Sequence, residues 1–198
     1  MNNKIIVKVP KKYNISHKKL RLIESAKKLF YEQGVNNTTL ASIAYLADVP
    51  LGNVYYYFKS KESIVLSVIE YQRNEIKKHL NEINNVQNAK KRLKIFIYRE
   101  IKNNKNVIQY GDKVGSLCQE LCKRNDKISK SIANIMKEII NWCKKQFENL
   151  NKKEKSTRYA IILISNIQGL NLLNFTFKNK EFSDIYANYL INWIDEIS

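Results

Sequence analysis

The stretch from Thr38 to Lys61, TTLASIAYLADVPLGNVYYYFKSK, constrains this chain more than any other. Its apolar spacing predicts a short amphipathic helix over Thr39–Ala47, a break at Asp48-Val49-Pro50, and a second short helix over Leu51–Phe58. Pro50 suits the first position of that second helix, where a missing N–H costs nothing and φ is already helical. Two short helices joined by a tight turn form the helix-turn-helix pattern, whose second helix enters the major groove of DNA. Here the second helix carries Gly52-Asn53 and three consecutive tyrosines, followed by Lys59-Ser60-Lys61. Such side chains suit phosphates and base edges better than a core.

The rest of the sequence favours helices. With 5 Gly and 2 Pro in 198 residues, and 44% hydrophobic residues, it reads as long helices rather than a turn-rich β fold. That length allows one medium domain, or a small domain fused to a larger one, with a sizeable core. The formal charge of +17 points to a polyanionic partner, nucleic acid or an anionic membrane surface. Heavy use of Asn, Lys and Ile reflects an AT-rich coding bias and weakens that inference. Distribution is more informative: residues 1–61 hold 11 Lys/Arg against 3 Asp/Glu, whereas residues 62–198 hold 24 against 15. In Met1–Pro10 the apolar run Ile5–Val7 is too short for a signal-peptide core, so a cytoplasmic protein is expected. The basic lead-in, residues 1–15 with Lys18, Lys19 and Arg21 beyond, is either a solvated arm or one that lies along DNA.

An all-α fold of about nine helices follows from the apolar periodicity. Helix one starts near Ser16 or His17, buries Leu22, Ile23, Ala26, Leu29 and Phe30, and ends at a left-handed Gly34. Either Thr38 or Thr39 can cap the next helix, which turns Leu40, Ile43, Ala44 and Ala47 inward, with Tyr55 and Phe58 closing the three-helix core. Helix four opens after Ser60 and runs to about Ile83, its N-terminus aimed at a phosphate between Lys59 and Lys61. At roughly twenty residues it can carry a displacement across about 30 Å. Leu93, Ile97 and Ile101 mark helix five, Val114–Lys123 is helix six, and Asp126 caps helix seven. Helix seven buries Ile128, Ile132, Ile135, Met136, Ile139, Trp142, Cys143 and Phe147. The expected division is an arm (1–15), a helix-turn-helix unit (16–61) and a C-terminal helical domain (62–198).

Helix eight, Tyr159–Phe177, has 19 residues without a charge, a length that can span a bilayer. Its amides, Asn166, Gln168, Asn171 and Asn174, would be costly in lipid, so no membrane partner is expected. A helix apolar on several faces needs cover on several sides. With helix nine, whose stripe runs Phe182, Ile185, Tyr186, Tyr189, Leu190, Trp193, Ile194 and Ile197, it is expected to form a four-helix homodimer interface, with Gly169 allowing close approach.

Catalysis has no candidate residues: no Ser/His/Asp set, phosphate-cradling glycine loop or HExxH pattern occurs, and no cofactor is implied. His17 and His79 show no metal spacing. Three cysteines do not make a disulfide framework. Cys118 and Cys122 share a helical face and with Cys143 could form a thiolate metal site or an oxidant sensor, or all three are small core side chains.

Within the opening stretch, Thr39, Ile43-Ala44, Ala47, Val49, Gly52, Tyr55, Phe58 and Lys61-Glu62, extended back through Leu20–Gly34 with Ala26, Leu29 and Phe30, resemble the DNA-binding signature of the TetR/AcrR family of bacterial repressors. The resemblance covers the first quarter of the chain. It departs from the family at Asp48, usually Gly; at Pro50, often a capping Ser or Thr; and at Leu51, commonly polar. Gly115-Ser116-Leu117 with Glu120-Leu121 resembles the regulatory half of some members.

The resemblance implies a homodimeric repressor on an inverted-repeat operator in double-stranded DNA. Leu51, Gly52 and Asn53 then face base edges, Leu51 against a thymine methyl and Asn53 on adenine. Thr39, Tyr55, Tyr56, Tyr57 and Lys61 contact phosphates by the family's pattern. It also implies a small-molecule effector inside the C-terminal bundle that biases helix four. Candidate contacts are Tyr98, Tyr110, Leu117, Cys118, Trp142, Gln168, Asn171 and Phe175, with plain core as the alternative reading of each. Two competing readings are a non-specific architectural DNA-binding protein and a thiol or metal sensor using the three cysteines.

Overall fold

The computed structural model describes residues 16–101 and 106–197, so the expected arm at residues 1–15 lies outside the described residues. Among the described residues there is no strand, and nine helices have seven residues or more. They are α1 (His17–Gln33), α2 (Leu40–Leu46), α3 (Leu51–Tyr57), α4 (Lys61–Asn84), α5 (Ala89–Ile101), α6 (Lys113–Leu121), α7 (Lys127–Glu148), α8 (Ser156–Phe177) and α9 (Glu181–Ile197). A single turn, Val107–Tyr110, precedes α6, and short 3₁₀ turns follow α6 and precede α8. The protein is all-α.

Local chemistry sets these boundaries. Thr39 and Ser42 form a reciprocal capping box at α2, and Ser60 and Ser63 form another at α4. Asp112 accepts from the Gly115 N–H to cap α6, and Asp126 accepts from Ile128 and Ser129 to cap α7. Thr38, fully buried, spends its hydroxyl on the Gly34 carbonyl at 2.7 Å, which leaves the capping to Thr39.

Three local expectations change. Gly34 has positive φ, 83°, but ψ of 162°, so α1 ends in an extended glycine conformation rather than a left-handed helical one. Pro50 lies one residue before α3, with ψ of 136°. That extended ψ lets its carbonyl accept the Asn53 N–H at 2.8 Å, so Leu51 is the first helical residue. The largest change concerns α3, which turns Val54 into the core and leaves Tyr55 half exposed. A seven-residue helix has few inward positions, and Val54 takes the fully buried one, in the same cluster as Ile43 and Phe58.

Two apolar clusters form the interior. The first joins Leu22, Ala26 and Phe30 of α1, Ile43 and Ala44 of α2, Val54 and Phe58, the first half of α4 (Ile64 to Ile69), α6 (Val114, Leu117, Leu121) and the start of α7 (Ile128, Ile132, Ile135). The second joins the far end of α4 (Leu80, Ile83) with α5, the rest of α7, α8 and α9. In it Phe147, Tyr159 and Trp193 meet ring to ring at 5.5–6.0 Å. Helices α4 and α7 therefore run through both clusters, and the Arg73–Glu138 pair ties them at mid-length.

Helix α8 is long and apolar enough to cross a membrane by composition. In the fold it lies along α7, and its amides are used: Asn174 donates to Ser183 on α9, and Tyr186 of α9 donates to Asn166. Only part of the expected α9 stripe is covered. Ala187, Leu190 and Ile194 are buried, whereas Ile185 and Tyr189 point away from the chain's own core. Exposed apolar residues of α8, Ile161, Leu172, Leu173 and Phe177, do the same.

Candidate nucleic-acid interface

Two caps and one bent turn aim α3 outward. Asp48, at φ 50°, occupies the left-handed region that its short polar side chain tolerates. Arg21 on α1 secures the turn by donating to the Asp48 carbonyl at 3.1 Å, with the carboxylate at 3.6 Å. The departure from glycine at this position thus keeps the required backbone.

Leu51, Gly52 and Asn53 lead α3, the first two exposed and Asn53 half-buried. A Cβ built on Gly52 would meet no atom within 4 Å. Packing therefore does not demand this glycine, and the bare backbone leaves room for close approach from outside. Tyr56 is 78% exposed and Tyr55 50%. Tyr57 is different: it is half-buried against the first cluster, and its hydroxyl shares a 3.0 Å hydrogen bond with Ser16. Thr39, exposed, spends its side-chain oxygen on the α2 cap. Lys61 reaches back to the Asn36 carbonyl at 3.3 Å. At the start of α4, Glu62 accepts from its own N–H and its carboxyl is held below the usual range, so this terminus already carries an anion beside Lys61.

Sequence reasoning missed Tyr45, which at 90% is the most exposed large side chain of α2. The signal was available, since Tyr45 falls outside the Ile43, Ala44, Ala47 face. Lys19 stands over the Phe58 ring at the end of α3, and exposed Lys59 follows it in the chain. Exposed phenols with interleaved cations and open backbone form a surface suited to phosphates and base edges.

The reading unit is fastened to α6. The Glu120 carboxylate accepts the Val35 N–H at 2.9 Å and the Asn36 N–H at 2.7 Å, beyond the end of α1. At the other end of the same region, Tyr31 donates to the Gly111 carbonyl at 2.7 Å. Gly115 allows α6 to approach α8, because a Cβ there would lie 2.3 Å from the Gln168 side-chain oxygen.

Two cavities flank this junction. The larger, ≈ 380 Å³, lies between α4, α5, the start of α6 and α7, walled by Gln72, His79, Phe96, Glu100, Asp112 and Ile139 among others. The second, ≈ 270 Å³, lies between α1, α4 and α6, with Tyr31, Val68, Gln72, Tyr110 and Leu117 in its wall. Of the eight residues expected at an effector, Tyr110 and Leu117 meet in the second cavity. Gln168 and Asn171 instead donate to Asp112, Trp142 donates to Asn84, Tyr98 and Phe175 are surface-exposed, and Cys118 packs beside the first cluster.

Cys118 and Cys122 lie within reach of each other one turn apart, but the three thiols do not converge. Cys143 is fully buried in the second cluster, while Cys118 lies against the first and Cys122 is exposed. Burial pushes the Cys118 thiol up to about 12 and raises Cys143 as well, which disfavours the thiolate that metal or oxidant chemistry needs.

Residues 22–68 match the family model for bacterial regulatory proteins, tetR family. The chain is 24% identical over 196 residues to YuxN, an uncharacterised helix-turn-helix-type transcriptional regulator of Bacillus subtilis (strain 168), a match covering 93% of this chain and 65% of that protein. It is 25% identical over 184 residues to the helix-turn-helix-type regulator QacR of Staphylococcus aureus, covering 86% of this chain and 96% of that one. The fold superposes on the crystal structure of a TetR transcriptional regulator from Legionella pneumophila with a TM-score of 0.79 at 23% identity, over 92% of this chain and 98% of that one. The α2–turn–α3 geometry, the all-helical body and these likenesses agree: residues 22–68 form a helix-turn-helix domain of the tetR family, and the chain as a whole has the fold of the transcriptional regulators it resembles.

Proposed function

We propose that the chain is a homodimeric, cytoplasmic repressor that binds an inverted-repeat operator in double-stranded DNA and leaves it when a small molecule enters the C-terminal bundle. The observation that carries this reading is the outward face of α3, where Gly52 leaves backbone open beside exposed Leu51, Tyr55 and Tyr56. In the groove, Leu51 meets a thymine methyl, Asn53 pairs with adenine, and Thr39, Tyr45, Tyr55, Tyr56 and Lys61 take phosphates. Tyr57, turned toward Ser16, positions α3 and offers one edge to the backbone.

The second copy sits on α8 and α9. Ile161, Ser165, Gly169, Leu172 and Thr176 recur at three- and four-residue spacing along one exposed side of α8, beside Ile185 and Tyr189 of α9. No Cβ contact crowds Gly169, so a partner helix can approach closely there. An uncharged apolar stripe of this kind is covered by a copy of itself.

Release runs through two struts. Helix α4 is core to the reading unit at Ile64–Ile69 and to the bundle at Leu80 and Ile83. Helix α6 starts at the larger cavity and ends at Glu120, on the loop after α1. An effector that fits the cavity better when α4 and α6 are shifted draws the two readers off their spacing. The test compares Asn53→Ala with wild type on a selected operator and on random DNA. A loss confined to the operator supports base reading by α3, and an equal loss on both removes it.

A further inference from the structure

The larger cavity has an uneven charge balance. Glu75 is paired with Lys27 through both oxygens at 2.9–3.0 Å, and Glu82 lies 3.5 Å from Arg99. Asp112 accepts from Gly115, Gln168 and Asn171, and the Lys113 ammonium sits over the Tyr31 ring in the neighbouring cavity at 5.4 Å. Glu100 alone among these carboxylates has no hydrogen bond or ion pair among the described residues. A second group is unspent as well. Gln72, only 5% exposed, lies in the walls of both cavities with no hydrogen-bond partner for its amide among the described residues. Neither group is sealed inside the protein; both open onto the same cavity, where a ligand can supply the partner that the protein does not.

We propose that this cavity takes an organic cation with an apolar body, Glu100 serving as its counter-charge and the Gln72 amide oxygen as a second acceptor. The proposal rests on the reading that this cavity is the effector site and adds the effector's charge class. Ile76, Leu80, Ile83, Phe96 and Val114 provide the apolar wall, and Phe96 offers a ring face braced by Trp142 at 5.3 Å. An anion meets Asp112 and Glu100 together, and a neutral molecule leaves a carboxylate in an apolar space. In the empty site, burial, then the Asp112 carboxylate, push Glu100 up to about 7, against the pull of Lys113 and Arg99. Cation binding restores its ionised form and expels a proton, so affinity rises with pH through that value. The other titratable or charged groups in the wall are Glu75, His79 and Glu82 on α4, Arg99 on α5, and Asp112 and Lys113 on α6.

The test uses three probes with one skeleton, 4-phenylbutylamine (cationic throughout), 4-phenylbutanol and 4-phenylbutanoate, titrated calorimetrically into the full-length protein. The amine should bind about tenfold or more tightly than the alcohol, and the carboxylate most weakly. Glu100→Gln should bring the amine down to the alcohol, whose own affinity is unchanged. In wild type the amine should lose about tenfold between pH 8 and pH 6 while the alcohol stays flat. His79→Gln should keep that dependence, which separates the one imidazole in the wall from Glu100. The wild-type pH series stands even if Glu100→Gln does not fold. Equal binding of amine and alcohol, a preference that survives Glu100→Gln, or a flat pH response overturns the cation assignment while alcohol binding upholds the cavity as a ligand site. Binding of none of the three overturns the assignment and the effector cavity together.

Discussion

The protein exposes large apolar side chains in two places, and the surroundings differ. Around α3, Tyr45, Leu51, Tyr55 and Tyr56 stand among lysines, a free backbone at Gly52 and a half-buried asparagine. Along α8 and α9, Ile161, Leu172, Leu173, Phe177, Ile185 and Tyr189 stand almost without charge. Exposure alone does not identify a partner. Phenols with cations suit a polyanion, because the ring stacks or donates while the charge meets phosphate. An uncharged aliphatic stripe along a straight helix offers nothing to phosphate and everything to a matching stripe.

The widest break in this comparison comes from Leu172→Asp. It should turn the dimer into monomers in sedimentation and cut operator affinity by about 100-fold or more, because the second reader no longer binds at high effective concentration. Random-DNA binding should fall far less. A dimer that persists would detach the α8–α9 stripe from assembly. Next in size is Asn53→Ala, expected to cost about 1–3 kcal/mol on the selected operator and little on random sequence, read by fluorescence anisotropy.

Glu120→Ala sharpens the link between the two regions. It removes the acceptor of the Val35 and Asn36 N–H groups and should lower unfolding stability by about 1–3 kcal/mol in denaturant titration. Effector-driven release should weaken in the same variant, and unchanged release would leave α4 as the sole strut. Lys61→Ala has the smallest effect: a uniform weakening on all DNA, with the salt dependence flattened by about one unit of slope. A loss restricted to one sequence would make Lys61 a base reader instead.

How much was legible follows from locality. The α2–turn–α3 unit, the caps at Thr39, Ser60 and Asp126, and the uncharged length of α8 all depend on neighbours within a few residues, so sequence spacing exposes them. Val54 against Tyr55 was not legible, because a seven-residue helix carries too few turns to fix its phase. Glu120, 85 residues from Val35, is invisible to any periodicity. The effector candidates are mostly aromatics and amides, with Leu117 and Cys118. The larger cavity is instead walled by residues as far apart as Gln72, Glu100 and Asp112, and its features arise only when α4, α5 and α6 meet.

Selection of bound sequences from random double-stranded DNA by the full-length protein tests the central claim most directly. Two readers on one dimer predict enrichment of an inverted repeat whose half-sites lie about one or more helical turns apart. Enrichment of a single unpaired motif, or no sequence preference at all, would contradict a dimeric α3 reader and favour non-specific binding to the duplex.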